Sequence, residues 1–219
     1  MNEKKYLLFD LDGTLTDPKE GITKSFQYAL QHYGIDEQDL DKLEVVIGPP
    51  LKDSFIEFYG FSIEKANEAA MKYRERFATL GKYENIIYDG IASMLQTLTS
   101  KGKELAIASS KPTIFVEEIL EHFDIKEYFA HIIGSNEDGT RAEKTEVVIA
   151  AIEAFGEIDK ADIIMIGDRK FDVIGAHDCD VEVIGVSYGY GGTEELANAG
   201  ADYIVDTVQE LEELLLNSR

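Results

Sequence analysis

Short apolar runs recur along the chain at residues 6–9, 105–108, 131–134, 163–166, 183–186 and 203–205. They are continuous rather than alternating, the pattern of strands covered on both faces of a sheet. Amphipathic stretches separate them. Residues 113–123 read as a helix with Pro112 suited to its first turn. Residues 143–155 read as another, with Val147, Ala151 and Phe155 on one face and Val148 and Ile152 beside them. Further helices are predicted at 91–99, 172–178, 194–199 and 208–216. Strand–helix alternation of this kind predicts an α/β fold with a doubly wound parallel sheet.

The alternation fails between Leu15 and Tyr88. That stretch reads as helices over 19–33, 37–46, 51–59 and 62–80, punctuated by Gly34, Gly48-Pro49-Pro50, Gly60 and Gly81. The expected organisation is a core of residues 1–15 and 85–219, with a smaller all-helical module of residues 16–84 inserted after the first strand.

Composition narrows the functional classes. Of 219 residues, 44% are hydrophobic, enough to bury a core and exclude a disordered chain. The formal net charge is −22, from 21 basic and 43 acidic residues. Such a balance argues against nucleic-acid polymers and anionic membrane surfaces as partners. Between Leu15 and Tyr88 the charge is only −4, against −18 elsewhere. Cys179 is the single cysteine, which excludes an intramolecular disulfide or a cysteine metal cluster. The longest apolar run, 147–152, is far too short to span a bilayer, and no secretory leader is evident. A cytoplasmic location is expected. The histidines are scattered without metal spacing.

The candidate chemistry sits at strand ends, where open α/β sheets bind ligands. The first strand runs into Asp10-Leu11-Asp12-Gly13-Thr14. Asp10 and Asp12 leave on the same side, because strand side chains alternate. Carboxylates this close repel, so a proton or a cation must relieve them. Asp-Gly is equally a common turn pair. The second strand ends in Ser109-Ser110-Lys111-Pro112 before a helix, suited to an anion site or a plain cap. Lys144 in a first helical turn opposes the helix dipole, a local rule that functional sites often break. The fourth strand ends in Gly167-Asp168-Arg169-Lys170-Phe171-Asp172, with Asp172 about one helical turn beyond Asp168. Four converging acids fit a hard cation, Mg²⁺. The loop 188–192 reads as a substrate contact or a flexible turn.

The order of Asp10-x-Asp12-Gly13-Thr14, Ser109, Lys144 and Gly167-Asp168-x-x-x-Asp172 resembles the haloacid dehalogenase superfamily of phosphohydrolases across essentially the whole chain. The helical insert looks like that superfamily's cap. Gly48-Pro49-Pro50-Leu51, Ser110-Lys111-Pro112 and the glycine-tyrosine run 185–191 further resemble its phosphoglycolate phosphatase-like branch, which also contains nucleotidases and pyrophosphatases. The resemblance implies a Mg²⁺-dependent phosphatase acting on a small phosphorylated metabolite. Asp10 would be the nucleophile that becomes an aspartyl-phosphate, and Asp12 the general acid and then base. Ser109 would bind the transferring phosphoryl group, and Lys144 would neutralise both the phosphoryl oxygens and the Asp10 carboxylate. The Asp10 side chain, the Asp12 carbonyl and Asp168 would hold Mg²⁺, with Asp172 orienting a metal water or Lys144. Gly13, Thr14, Gly48, Pro49, Pro50, Lys52, Ser110, Lys111 and Arg169 are candidate substrate contacts, those in the insert for substrate choice. Arg169 serves equally well for docking or structure.

Other readings stay open. An acid at position 12 argues against dehalogenase and phosphonatase chemistry. A sugar phosphomutase or an inorganic pyrophosphatase shares these motifs. A phospho-acceptor signalling domain of about 120 residues would lack the helical insert. A non-catalytic phosphate-binding module would be expected to have lost one of the motif residues, and none is lost.

Overall fold

The computed structural model describes residues 3–217. The chain forms two compact units. One runs to Asp17 and resumes at Ile87; the other spans Pro18–Ile86.

The first unit is built on a six-stranded sheet of β1 (Tyr6–Phe9), β2 (Glu104–Pro112), β3 (Phe129–Ser135), β4 (Ile163–Gly167), β5 (Glu182–Val186) and β6 (Tyr203–Val205). The spatial order is β3-β2-β1-β4-β5-β6, and every pairing is parallel. Leu7 lies opposite both Leu105 and Ile164. The chain winds outward from β1 in one direction and then restarts beside it at β4. This reversal opens a crevice at the carboxyl ends of β1 and β4, the usual binding position in such sheets.

The other unit contains α1 (Lys19–His32), α2 (Leu51–Tyr59) and α3 (Ile63–Arg76). Phe26, Phe55 and Phe61 stack at its centre, with ring centroids 4.1 Å apart for Phe26–Phe55 and 5.7 Å for Phe55–Phe61. Each buried aromatic of this kind contributes about 1.5–3 kcal/mol relative to exposure. α3 turns Ala66, Ala69 and Ala70 inward, small residues that leave room for neighbouring helices. Ser62 caps α3 by accepting the Lys65 N–H at 3.2 Å. The helix expected over 37–46 is absent. Only a tight 3-10 turn forms, over Leu40–Val46, after the Asp39 carboxylate accepts the Asp41 N–H at 3.1 Å. Asp39 is thus the N-cap of this 3-10 helix and sets where it begins. The helical run expected to reach Leu80 changes character after Arg76, where Phe77–Gly81 widen into a π turn.

Around the sheet lie α4 (Ile91–Ser100), α5 (Thr113–His122), α6 (Lys144–Ala154), α7 (Lys170–His177), α8 (Gly192–Ala199) and α9 (Val208–Leu216). Strand alternation divides the packing into two cores. Leu7, Phe9, Leu105, Ile107, Ile164 and Ile166 face Met94 and Leu98 of α4, Val116 and Leu120 of α5, and Leu211 of α9. Leu8, Ala106, Ala108 and Met165 face Val147 and Ala151 of α6, Val173 of α7 and Leu196 of α8. Ala106 and Ala108 are small, so α6 lies close to the sheet on this side. Among the described residues no helix is long and apolar enough to cross a membrane.

Candidate active site

β1 delivers Asp10 to the crevice while its backbone is still in register, since the Asp10 N–H donates to the Ile166 carbonyl at 2.9 Å. The chain then turns back tightly. The Leu11 carbonyl accepts from Leu15 at 2.9 Å and from Thr16 at 3.1 Å, and Gly13 N–H reaches the Thr16 carbonyl at 2.7 Å. Gly13 has φ of +79°, and a Cβ there would lie 2.1 Å from Asp168 Oδ2. Only glycine meets both demands, the left-handed backbone and the contact with Asp168. Thr14 is buried in the same turn.

β2 extends further than the apolar run suggests, through Ser109, Ser110 and Lys111 to Pro112, which pairs with Ser135 after a register shift. Pro112 therefore stands just before α5 rather than in its first turn. Ser109 is buried, and its hydroxyl accepts the Lys111 N–H at 3.4 Å. The Lys111 ammonium lies 2.8 Å from Asp12 Oδ2.

Lys144 opens α6 and is buried. Its ammonium is 3.1 Å from Asp10 Oδ1 and 2.7 Å from Asp172 Oδ1, and it donates to the Ala108 carbonyl at 3.1 Å. Burial alone would lower its pKa, but the two carboxylates outweigh that and raise it. They also offset the unfavourable dipole of the α6 N-terminus.

β4 delivers Asp168, and the first turn of α7 delivers Asp172. Asp172 Oδ2 accepts the Arg169 N–H at 3.0 Å. The Arg169 guanidinium is gripped by Glu195, with Nε to Oε1 at 2.9 Å and Nη2 to Oε2 at 3.3 Å. Burial pushes the Asp168 carboxyl up, and Asp172 and Asp10 add to it. Burial raises Asp172 as well, against the pull of Lys144. Burial also raises Asp12, against the pull of Lys111.

The structure thus brings Asp10, Asp168, Asp172 and Lys144 together, with Asp12, Lys111, Ser109 and Gly13 on the same strand ends. Gly48, Pro49, Pro50 and Lys52 belong to the helical unit. There Gly48 has φ of +103°, Pro50 immediately precedes α2 and Lys52 is exposed on it. Sequence reasoning missed the Tyr190 backbone N–H, which donates to Asp168 Oδ2 at 2.7 Å, and the anchoring role of Glu195. The glycines flanking Tyr190 were the available signal for the first. The second had none, because Glu195 is 26 positions from Arg169.

Asp10, Asp168 and Asp172 each place a carboxylate oxygen within 4.8 Å of the others. Asp168 Oδ1 is buried with no hydrogen-bond partner. Three buried carboxylates against one ammonium leave negative charge uncompensated, and a buried unpaired oxygen is costly. An all-oxygen, acid-rich cluster of this kind fits a hard divalent cation.

Comparison with known proteins places this geometry in context. The model of the haloacid dehalogenase-like hydrolases matches residues 7–186. A Pseudomonas aeruginosa protein named 5'-nucleotidase is 47% identical over 201 residues, covering 91% of this chain and 90% of that protein. The tyrosine-protein kinase PtkA of Mycobacterium tuberculosis is 34% identical over 211 residues, covering 95% of this chain and 72% of the kinase. A crystal structure of a "predicted phosphatase" from Clostridium acetobutylicum superposes with a TM-score of 0.95 at 49% identity, covering 98% of this chain and 99% of that one.

Proposed function

Since the chain belongs to the haloacid dehalogenase-like hydrolase family, we propose that it is a Mg²⁺-dependent phosphatase that hydrolyses a small phosphomonoester through an aspartyl-phosphate on Asp10. The observation that carries this reading is the buried cluster of Asp10, Asp168 and Asp172 around Lys144, with Asp12 two residues from Asp10. The 5'-nucleotidase relative makes nucleoside 5'-monophosphates the first substrates to test. The net charge of −22 favours a small substrate over a nucleic-acid polymer. Cys179 as the single cysteine suits a reducing compartment, so the proposed location is the cytoplasm.

In the first half-reaction an Asp10 carboxylate oxygen attacks phosphorus, and the bond to the leaving oxygen breaks. Burial raises the Asp12 carboxyl against the pull of Lys111, and in this step Asp12 gives a proton to the leaving alkoxide. In the second half Asp12 takes a proton from water. The water oxygen attacks phosphorus, and phosphate departs from Asp10. Lys144 offsets charge on Asp10 and on the transferring phosphoryl oxygens, while the Ser109 hydroxyl donates to one of those oxygens. Asp172 acts by holding the Lys144 ammonium in place. The Asp10 and Asp168 carboxylates with the Asp12 carbonyl would hold Mg²⁺, which when bound neutralises phosphoryl charge. Gly48, Pro49, Pro50 and Lys52 are proposed to tune substrate choice, and the helical module of residues 16–84 is proposed to act as a cap.

The test is Asp10→Asn with an aryl phosphate and with nucleoside monophosphates. Turnover should vanish, and EDTA should abolish it in the wild type. Acid quenching during turnover should trap labelled protein that hydroxylamine cleaves. Full activity of Asp10→Asn, or full activity in EDTA, overturns the mechanism. Isomerised product without free phosphate would identify a mutase instead, and transfer to a tyrosine hydroxyl would identify a kinase.

A further inference from the structure

The loop between β5 and α8 lies against the acidic cluster and has no part in the chemistry described above. Its Tyr190 N–H donates to Asp168 Oδ2 at 2.7 Å. Its neighbours are glycines for reasons of space. A Cβ on Gly189 would lie 2.4 Å from Asp168 Cβ and 2.4 Å from the Gly13 carbonyl oxygen. A Cβ on Gly191 would lie 2.3 Å from the Asp168 carbonyl oxygen. Tyrosine hydroxyls fasten the loop at both sides. Tyr188 donates to the Thr14 carbonyl at 2.9 Å, and Tyr190 bonds the Asp17 carboxylate. Glu195, at the start of α8, holds the next stretch of the Asp168 segment by accepting from the Arg169 side chain and from the Lys170 N–H at 2.9 Å. Asp168 is 1% exposed, and its other oxygen, Oδ1, has no hydrogen-bond partner.

We propose that the Gly189-Tyr190-Gly191 turn is the positioning device for Asp168, its Tyr190 amide fixing Oδ2 so that Oδ1 is presented to the divalent cation. This deepens the reading above and rests on Asp168 being a cation ligand. A carboxylate with both oxygens unbound would rotate about its terminal torsion, and each rotation would cost the cation a ligand. One amide removes that freedom without adding a side chain to a crowded crevice. Backbone approach this close requires that positions 189 and 191 carry no Cβ. Outer partners of metal-binding carboxylates commonly set affinity by roughly 10–100-fold.

The test reads cation affinity directly, by calorimetric titration of the purified full chain with Mg²⁺ and no substrate. Two changes address the turn, an amide-to-ester replacement at residue 190 and Gly189→Ala. Gly192→Ala is the control, because Gly192 opens α8 directly after the turn with φ of +66° but has nothing within 4 Å of an added Cβ. The ester and Gly189→Ala should each weaken Mg²⁺ binding by about tenfold or more. Gly192→Ala should stay within about twofold of wild type, since its strain touches nothing near Asp168. If Gly189→Ala does not fold, the ester alone decides, because it deletes the donor with little change of shape. Wild-type affinity in the ester, or equal weakening by Gly192→Ala, overturns the proposal. Asp168→Asn in the same titration separates the two levels. If it keeps wild-type affinity, Asp168 is not a ligand and the underlying reading fails. If it loses affinity while the ester does not, only the positioning role fails.

Discussion

Two charge clusters in this molecule are built on opposite terms. In the helical unit Arg76 meets Glu84 through two hydrogen bonds, at 2.6 and 2.9 Å, with the Lys24 ammonium 3.5 Å from Glu84 Oε1. Positive and negative charge balance there, since Lys24 also pairs with Glu20, and Glu84 is held below its ordinary pKa, chiefly by the Arg76 hydrogen bonds. At the strand ends of the α/β unit, the Lys144 ammonium pairs with two of three clustered buried carboxylates, Asp10 and Asp172, and the Asp168 carboxyl is pushed up by burial. A balanced pair gives rigidity. An unbalanced cluster costs stability, and such a cost persists where the surplus charge serves a ligand. The carboxyl shift thus has opposite signs at Glu84 and at Asp168.

The largest expected effect breaks the comparison at its functional side. Asp168→Asn should lower turnover by about a thousandfold or more, the scale of losing charge stabilisation worth several kcal/mol. In EDTA the same variant should be as stable as wild type or more so, by about 1–2 kcal/mol, because a buried uncompensated carboxylate is removed. For a chain of this length that is roughly 2–8 °C in melting temperature. Saturating Mg²⁺ should reverse the order, since a ligand that binds the native state stabilises only the protein able to hold it. A large drop in the EDTA melting temperature of Asp168→Asn would show that the carboxylate is a structural group after all. On the balanced side, Glu84→Gln should destabilise by about 1–2 kcal/mol, because it strips the charged partner from a largely buried guanidinium. Arg76 and Glu84 side chains are only 17% and 25% exposed, which lifts the pair above ordinary surface bridges. Turnover at saturating Mg²⁺ should barely change. Calorimetry and steady-state kinetics on the same preparation check both halves.

The sheet was legible because its strands are covered on both faces, which leaves runs such as Leu7-Leu8-Phe9 and Ile163 to Ile166 without polar interruption. Acids at the ends of those runs were legible for the same reason, since a charge that closes a buried strand stands out. The polar end of β2 was not. Ser109, Ser110 and Lys111 are extended because Pro112 pairs with Ser135 across the sheet, a long-range contact with no local signature. The 37–46 segment coils only over Leu40–Val46, as a 3-10 helix that begins where the Asp39 carboxylate accepts the Asp41 amide. At the site, the Tyr190 donor is a backbone group, and any residue but proline carries one. What distinguished it was the pair of glycines beside it, whose meaning appears only once Asp168 is known to lie against them.

The smallest expected effect concerns pH and tests whether Glu84 is the structural acid that its shift implies. Its folded pKa is depressed, so the native state favours the carboxylate and the unfolded chain takes up the proton first. The stabilisation by Arg76–Glu84 is therefore complete above the unfolded carboxylate value of about 4.3, and is lost as pH falls through the lower folded value. Hydrogen exchange of α1 and α3 amides in the full chain, wild type against Glu84→Gln, reads this locally, and comparison at each pH cancels the intrinsic pH dependence of exchange. Protection should differ by a factor of several at pH 7, and the difference should close as the wild-type carboxyl protonates at acid pH. A gap that persists unchanged to pH 2.5 would mean that Glu84 acts through packing or neutral hydrogen bonding rather than charge. The contrast between the two clusters would then rest on the strand-end site alone.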